Sequence, residues 1–407
     1  TYNPAAVAKA DLLMLKGDPA AAVIELERFV RAAPSDADGR RRLVQTLVDA
    51  GRAPRAIEVV REAISLSPND AQWRVALGEV EAGRGNLAAA IAAYEEAERL
   101  RVDLNIVQRL AELRLRRTPP NWEAVLAGLR ARPDLVQGSP FLQSAVGVAL
   151  HNSGETKGGL ESMRSSYQFA KRLVAEGKAP PSSIDGWFQN LRLIYAGPRT
   201  ADAETFLMEV SGGKPDIHDL RGISELWFAQ GTAGADRLID AATRGLAIDD
   251  KKDPVITARL NDMIGTVKYL KGDCKGALAA LKNAVDALPN EPAVLNNYAY
   301  LCGECADDPK VGLAAAERAV LLSRGKAEYL DTLGYVQARS GDLEKGLATL
   351  QQALGKLSNA SVHIHLAQVL LDLGRKQEAQ SHVTAAGDLN PDPIQMKQIK
   401  ALIERLR

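Results

Sequence analysis

The sequence is poor in aromatic residues and in net charge, and it lacks long apolar runs. Phe, Trp and Tyr make up 5% of the 407 residues, whereas alanine is frequent, and this balance favours helices over sheets. The 51 basic and 51 acidic side chains cancel, which argues against binding of nucleic acid by overall charge. No apolar run approaches the roughly 20 residues of a membrane-spanning helix. We therefore expect an all-α chain with no nucleic-acid partner and no transmembrane segment.

Cysteine is also scarce, and the chain is too long for one core. Three cysteines are too few for a disulfide framework and leave one odd thiol. A single core rarely exceeds roughly 250–300 residues, so we expect several domains or an extended array. The first residue is Thr1 rather than methionine, so a mature product and an excised segment both remain open. Frequent Ala, Arg and Gly favour a bacterial source, and both cytoplasm and periplasm stay open as compartments.

A set of small residues recurs every 34 residues in the first hundred positions. The set comprises Gly17, Gly51, Gly85, Ala22, Ala56, Ala90, Pro34 and Pro68. Each run from glycine to proline has apolar residues at helical spacing, and a second helical stretch precedes each glycine. The repeated unit is therefore a helix–turn–helix, and the same offsets return in 272–289 and 374–391.

These spacings resemble the tetratricopeptide repeat family, whose repeat has a turn near position 15, alanines at 20 and 27 and proline at 32. The match covers about 3–104 and 258–393, and the region between fits loosely. The resemblance implies an α-solenoid, a right-handed superhelix of about eleven helix–turn–helix repeats with a C-terminal capping helix. The predicted division is an N-terminal array (3–137), divergent helical repeats (138–257), a C-terminal array (258–393) and a capping helix (394–407).

The divergent segment contains three irregular stretches. Residues 154–183 predict an over-long second helix that ends at Gly177 and is followed by a Pro/Ser loop. SGGKPD (211–216) and IDDKKDP (248–254) are further breaks. The segment is predicted to change the superhelix pitch or to act as a hinge. Sequence drift within one continuous superhelix is the alternative.

The C-terminal sequence PIQMKQIKALIERLR predicts an amphipathic helix. Met396, Ile399, Ile403 and Leu406 are placed on one face, with charged residues on the other. A solenoid without a cap exposes its core, so this helix is predicted to cover the last repeat.

The stretch LNNYAYLCGEC (295–305) contains a Cys-x-x-Cys pair. Cys302 and Cys305 share a helical face, so their sulfur atoms could meet. Structural zinc requires four ligands, and the only other thiol, Cys274, lies in the preceding repeat. Because cysteine is often buried as a small apolar residue, we predict core packing for the pair. A regulatory disulfide or a metal site is the alternative.

Other candidate motifs have ordinary structural interpretations. His363 and His365 are two residues apart and do not share a helical face, so no common metal site is predicted. The arginine-rich runs 39–43 and 113–120 are typical of solvated helix faces, with a basic binding patch as the alternative. No sequence motif indicates a catalytic residue, a metal or a cofactor.

The family resemblance also implies which residues face a ligand, namely positions 2, 5, 6, 9, 12 and 13 of each first helix. In the C-terminal array these positions select the candidate binding residues Asn296, Asn297, Tyr300, Asp262, Tyr269, Asp331, Tyr335, Arg339 and His365. Two consecutive asparagines weaken a helix, yet their amides suit the backbone of an extended peptide. The basic residues of the family's carboxylate clamp are incomplete. The N-terminal groove, with Ala8 and Ala76, is predicted to serve assembly.

The sequence therefore predicts a non-catalytic scaffold that binds a protein or peptide partner in its concave groove and forms part of a larger complex. Three alternatives stay open. The chain could serve bacterial envelope or exopolysaccharide assembly, with a groove suited to sugar hydroxyls. It could be the substrate-docking arm of a larger enzyme, or an array that stacks end to end.

Overall fold

The structure is a computed structural model that describes residues 4–15, 18–195, 197–248 and 253–407. All regular elements within these ranges are helices, which confirms the all-α prediction. None of the described helices is both long and apolar enough to cross a bilayer. Residue 3, Gly17 and positions 249–252 of the IDDKKDP break lie outside the described residues.

The described residues fall into two compact units, which lie within Thr1–Gly213 (unit 1) and Lys214–Arg407 (unit 2). The helices of unit 1 are α1 (Pro4–Leu15), α2 (Pro19–Ala32), α3 (Ala37–Asp49), α4 (Ala53–Leu66), α5 (Ala71–Gly83), α6 (Leu87–Leu100), α7 (Leu104–Arg116), α8 (Trp122–Arg130), α9 (Pro133–Gln137), α10 (Pro140–Asn152), α11 (Thr156–Ala175), α12 (Asp185–Ile194) and α13 (Thr200–Val210). The helices of unit 2 are α14 (Ile217–Phe228), α15 (Ala235–Ile248), α16 (Pro254–Leu270), α17 (Cys274–Ala287), α18 (Pro292–Cys305), α19 (Leu313–Leu322), α20 (Ala327–Arg339), α21 (Leu343–Lys356), α22 (Ala360–Asp372), α23 (Lys376–Asp388) and α24 (Pro393–Leu406).

Successive helices pack against each other as the repeat pattern predicts. The described ranges contain ten pairs of consecutive helices, close to the predicted number of about eleven repeats. Four pairs lie in α1–α8, one is formed by α10 and α11, and five lie in α14–α23. The turn glycines permit these pairs because Gly85 and Gly341 have φ angles of 77° and 97°. Residues with a side chain rarely adopt this left-handed backbone. Glycines such as Gly51, Gly85, Gly272 and Gly341 therefore mark the turn inside their helix pairs.

Polar caps set the beginnings of many helices. The Asp70 side chain accepts the backbone N–H of Gln72 at the start of α5, and that of Asp342 accepts the N–H of Lys345 at the start of α21. Such caps satisfy backbone donors that have no partner within the helix and contribute about 0.5–2 kcal/mol each.

The predicted over-long helix of unit 1 is α11, which extends over 20 residues and ends two residues before Gly177. The following Pro/Ser stretch contains one 3₁₀ turn at Pro181–Ile184. Trp187 on α12 is fully buried, and its indole N–H donates to the backbone oxygen of Met163 on α11 at 2.8 Å. A buried ring with a satisfied donor holds this irregular stretch against α11.

The C-terminal helix α24 packs on α22 and α23, as predicted for a cap. Its buried residues are Ile399 and Leu402, which contact a cluster that includes Ile364 and Val383. The predicted apolar face was partly wrong, because Met396 and Ile403 remain 37% and 38% exposed. The apolar residues of α24 are spread over a wide face of the helix, so the sequence pattern did not define which of them would be buried.

Candidate functional site

The candidate binding residues of unit 2 lie on its first helices α16, α18, α20 and α22, which we call the unit 2 row. Four of them form the tyrosine cluster, which comprises Tyr269, Tyr300, Tyr335 and His365. The centroids of Tyr335 and His365 are 4.5 Å apart in a stacked arrangement, and those of Tyr300 and Tyr335 are 5.7 Å apart. Tyr269 meets Tyr300 edge to face at 6.5 Å. The rings therefore contact one another across all four helices.

Glu304, at the end of α18, joins this cluster through hydrogen bonds. Its carboxylate accepts the hydroxyl of Tyr269 at 3.2 Å and also that of Tyr335. Burial, together with the Glu304 charge, raises the pKa of Tyr269 to about 12. Tyr335 is 2% exposed, and burial beside Glu304 also raises its pKa. Both hydroxyls therefore remain protonated donors at neutral pH.

Asp331 and His365 form a buried pair within the same row. The Nδ1 atom of His365 lies 2.8 Å from Oδ1 of Asp331, and the two residues are 3% and 6% exposed. Burial disfavours the charged imidazole, but Asp331 and then Glu304 oppose this effect, so that the pKa of His365 is raised. The Asp331 carboxylate therefore favours the protonated form of the His365 imidazole.

The remaining candidate residues lie nearer the surface of the unit 2 row. Asn297 donates from Nδ2 to Oδ1 of Asp262 at 2.8 Å, and burial raises the pKa of that carboxyl group. Arg339 is exposed and donates from Nε to the backbone oxygen of Gly303 at 3.0 Å. The Oδ1 atom of Asn296 is buried and has no hydrogen-bond partner within the described part of the chain.

The structure thus places all nine predicted residues on the first helices of unit 2, and two pairs among them, Asn297 with Asp262 and His365 with Asp331, are hydrogen-bonded. The bonded partners of the unit 2 row are 31 to 36 residues apart, about one repeat. Their predicted role in reading a ligand stays a prediction.

The cysteines differ from the sequence-based prediction. Cys302 is 1% exposed with a free thiol, as core packing predicts, and burial raises its pKa. Core packing was wrong for Cys305, which is half-buried and forms a disulfide with Cys274, with 5.4 Å between the Cα atoms. The start of α17 lies beside the end of α18, and this proximity between repeats was not visible in the Cys-x-x-Cys spacing.

The histidines of HIH face different neighbours. His363 lies with Nδ1 2.8 Å from Nδ1 of His382, whereas His365 pairs with Asp331. Burial lowers the pKa of both His363 and His382. Among the described residues, no group of three or more His, Cys, Asp or Glu side chains could hold a metal ion.

The arginine-rich runs are engaged within unit 1. Arg40 donates to the backbone oxygen of Pro34 at 2.8 Å, Arg41 pairs with Asp38 at 2.7 Å, and Arg114 pairs with Glu95 at 2.8 Å. Arg41 and Arg114 thus form ion pairs of the kind found on helix faces, whereas Arg40 is 4% exposed and does not lie on a solvated face.

Unit 1 contains a cavity that sequence reasoning missed. It has a volume of about 480 Å³ and is lined by Gln72, Val75, Glu79, Tyr94, Arg101, Asp103, Asn105, Ile106, Gln108, Arg109, Glu112 and Phe141. Arg109 donates to Glu79 at 3.0 Å and to Glu112 at 2.7 Å, and the Tyr94 hydroxyl also donates to Glu79. The groove positions used for unit 2 would have selected Gln72, Glu79 and Arg109 in the third and fourth repeats.

Comparison with known proteins supports the repeat assignment. The tetratricopeptide repeat model matches residues 41–101 and 332–391. No curated protein sequence matches the chain significantly.

Solved structures with similar folds share little sequence with the chain. The Cut9–Hcn1 hetero-tetramer of the APC/C is 16% identical over 98% of this chain and 89% of that chain, with a TM-score of 0.42. MamA from Desulfovibrio magneticus RS-1 is 19% identical over 42% of this chain and 92% of its own, with a TM-score of 0.35. The thermophilic TPR protein TTC0263 from Thermus thermophilus is 19% identical over 46% of this chain and 99% of its own, with a TM-score of 0.37. One matched region lies in each unit and coincides with its helix pairs, which supports a tetratricopeptide repeat assignment for these parts of the chain.

Proposed function

We propose that the chain is a non-catalytic scaffold that binds a protein or peptide partner along the unit 2 row. The observation that carries this proposal is the unpaired, buried Oδ1 atom of Asn296 in the middle of α18. A buried acceptor without a donor costs about 1–3 kcal/mol, and folded proteins seldom retain one. A backbone N–H group of an extended peptide would supply the donor after a small rotation of the amide.

The buried residues of the unit 2 row support a peptide-binding site because they are held rigidly. Tyr335, His365 and Asp331 are buried and bonded to neighbours, so they form a fixed floor rather than direct ligand contacts. Asn296 and Asn297 lie on α18 of the same row and are half-buried. Side chains held in place before binding lose less entropy when a ligand arrives. Recognition in this proposal therefore falls to the two asparagines and to exposed Arg339.

The partner class follows from the same side chains. Primary amides offer a donor and an acceptor together, which matches the alternating N–H and C=O groups of an extended peptide. Stacked repeats extend this surface over several helices, so that a few polar anchors can be combined with shape.

The test compares the intact chain with Asn296→Ala in quantitative affinity capture from the native source. Lys282→Ala is the matched control, because Lys282 is an exposed residue of second helix α17 that pairs with Asp286. We expect Asn296→Ala to reduce recovery of a specific partner about tenfold, whereas Lys282→Ala retains it. Removal of an unpaired amide from mid-helix should also leave the free chain equally stable or more stable.

This combination of unchanged folding and lost binding separates a ligand contact from a structural role. Full retention of the partner by Asn296→Ala would place recognition elsewhere. Retention of a glycan, without any protein partner, would favour the exopolysaccharide-assembly alternative.

A further inference from the structure

We propose that the cavity of unit 1 is a second binding subsite, which takes the cationic side chain of a lysine or arginine in an extended peptide. The cavity encloses about 480 Å³ and opens between α5 and α7. This subsite goes beyond the proposed binding along the unit 2 row, and all residues that form it lie in unit 1.

The charge balance of the cavity favours a cation. Its lining contains three carboxylates, Glu79, Asp103 and Glu112, and two guanidinium groups, Arg101 and Arg109, which leaves one net negative charge. Arg109 is bound by both Glu79 and Glu112, and Arg101 pairs with Asp103 at 2.7 Å. The buried Nε atom of Arg109 has no acceptor among the described residues, but its two Nη atoms bind Glu79 and Glu112. Since both guanidinium groups have carboxylate partners, an anionic ligand would meet the surplus negative charge.

Glu79 is the group best placed to accept the cation. The hydroxyl of Tyr94 donates to its Oε1 atom and Arg109 donates to its Oε2 atom, so the carboxylate is held from two sides. Its side chain is nevertheless 50% exposed. A carboxylate has about four lone-pair sites, and these two bonds use only half of them. Glu79 is thus oriented by the protein and still has capacity for a ligand N–H.

The other walls suit the rest of a basic peptide residue. Val75 and Phe141 are partly buried apolar residues of the lining, against which the methylene stem of lysine or arginine can pack. The amides of Gln72 and Asn105 are exposed at the same cavity and can pair with the peptide backbone. An aliphatic stem, a terminal cation and an extended backbone together identify a basic peptide residue as the occupant.

The experiment measures binding of fluorescein-labelled serine–alanine peptides to the full chain by fluorescence anisotropy. The peptides differ only in a central lysine, glutamine or glutamate. We expect the lysine peptide to bind most tightly and the glutamate peptide most weakly, with a preference that declines as salt is added.

Glu79→Gln should reduce lysine-peptide affinity about three- to tenfold and leave the glutamine peptide unchanged, because the amide keeps the size of the side chain but not its charge. Glu96→Gln is the matched control. Glu96 is 51% exposed, lies on α6 outside the cavity lining and pairs with Arg74 at 3.3 Å. It should bind all peptides like the intact chain.

A second variant keeps the test decisive if Glu79→Gln folds poorly. Asn105→Arg adds a positive charge at an exposed position of the lining, and it should weaken the lysine peptide and strengthen the glutamate peptide. Equal binding of all three peptides, or a lysine preference that survives both variants, would overturn the subsite. Failure of all peptides to bind would overturn it as well, whereas partner capture that depends on Asn296 would still support the unit 2 row.

Discussion

The two units present different side chains at equivalent positions of the same repeat. Six residues before the turn glycine Gly85, the first helix of unit 1 carries Glu79, and six residues before Gly341, unit 2 carries Tyr335. Glu79 is half exposed beside a cavity of about 480 Å³. Tyr335 is buried and stacks on His365 of the next repeat.

The difference shows how one scaffold produces an open or a filled surface. A tyrosine ring reaches from one first helix to the next, so rings in successive repeats meet and exclude water. A carboxylate at the same position is too short to fill that space and instead binds a charged neighbour, here Arg109. The repeat pattern therefore defines where a side chain points, and side-chain size decides whether its surface is free for a ligand.

The largest expected effect concerns the disulfide, since all three cysteines lie in unit 2. Cys274→Ser with Cys305→Ser should destabilise unit 2 by about 3–4 kcal/mol, because the bond closes a loop with a sequence separation of 31. Hydrogen exchange on the full chain should accelerate in α17 and α18 and stay unchanged in α5 and α7. Reduction of the intact chain should reproduce this result and have no further effect on the double variant. Equal acceleration of exchange in both units would contradict the prediction that the disulfide stabilises unit 2 and not unit 1.

The next effect compares matched glycines, each seven residues before its turn glycine. A Cβ atom on Gly334 would lie 2.9 Å from the backbone oxygen of Gly346, whereas one on Gly78 would meet the Tyr94 ring at 2.5 Å. Gly334→Ala should cost about 1–3 kcal/mol in chemical denaturation, because backbone of α21 must shift. Gly78→Ala should cost less, since a ring can turn more easily than a helix can move.

The control for these alanine variants is Gly355→Ala on α21. No atom lies within 4 Å of an added Cβ there, so alanine should stabilise the helix by up to about 1 kcal/mol. A larger loss at Gly78 than at Gly334 would show that the Tyr94 ring is as firmly fixed as the backbone.

A third prediction makes the same substitution in both units. Tyr335→Phe should cost about 1–2 kcal/mol, because Glu304 loses one of its two tyrosine donors in a partly buried site. Tyr94→Phe should cost about 0.5–1 kcal/mol, because water can replace the hydroxyl at half-exposed Glu79. Both values are measured by denaturant unfolding. Tyr329→Phe serves as the control, since its hydroxyl has no hydrogen-bond partner in the described ranges. Equal losses at the two sites would mean that Glu79 is no more accessible to water than Glu304.

The helices and the facing positions were predictable because they depend on local rules. Left-handed turn glycines such as Gly85, and apolar residues at helical spacing, act within one repeat. The same register placed Asn297 and Tyr335 on the unit 2 row. Contacts such as His365 with Asp331 were not predicted, because they depend on rotamers of residues a whole repeat apart.

One wrong prediction and one omission have related causes. The Cys302–Cys305 spacing directed attention to one helix, although the partner of Cys305 lies on the neighbouring pair. The N-terminal groove was judged by Ala8 and Ala76, so the charged residues Glu79 and Arg109 were overlooked. In both cases the arrangement involves side chains of two repeats, whereas the sequence periodicity describes positions within one repeat.

The smallest expected effect is a difference in pH response. Burial, with a contribution from Arg199, lowers the pKa of His151, which is the single histidine of unit 1. A buried histidine with a lowered pKa binds fewer protons than in the unfolded chain, so unit 1 should lose stability as pH falls below about 6.5. In unit 2, His363 and His382 act in the same direction, but His365 acts in the opposite direction because its pKa is raised. Its contribution is present below about 6.5 and is lost as pH rises through its folded-state pKa.

Hydrogen exchange of the full chain between about pH 7.5 and 5.5, corrected for the intrinsic exchange rate, should therefore show α10 becoming less protected while α22 changes less. His382→Asn should remove part of the acid-sensitive contribution and reduce the loss of α22 protection as pH falls, because His363 is then opposed by His365 without the further contribution of His382. His151→Asn should remove the response of α10 without affecting α22. If α22 loses as much protection on acidification in His382→Asn as in the intact chain, the lowered pKa of His382 does not contribute to the response of this helix.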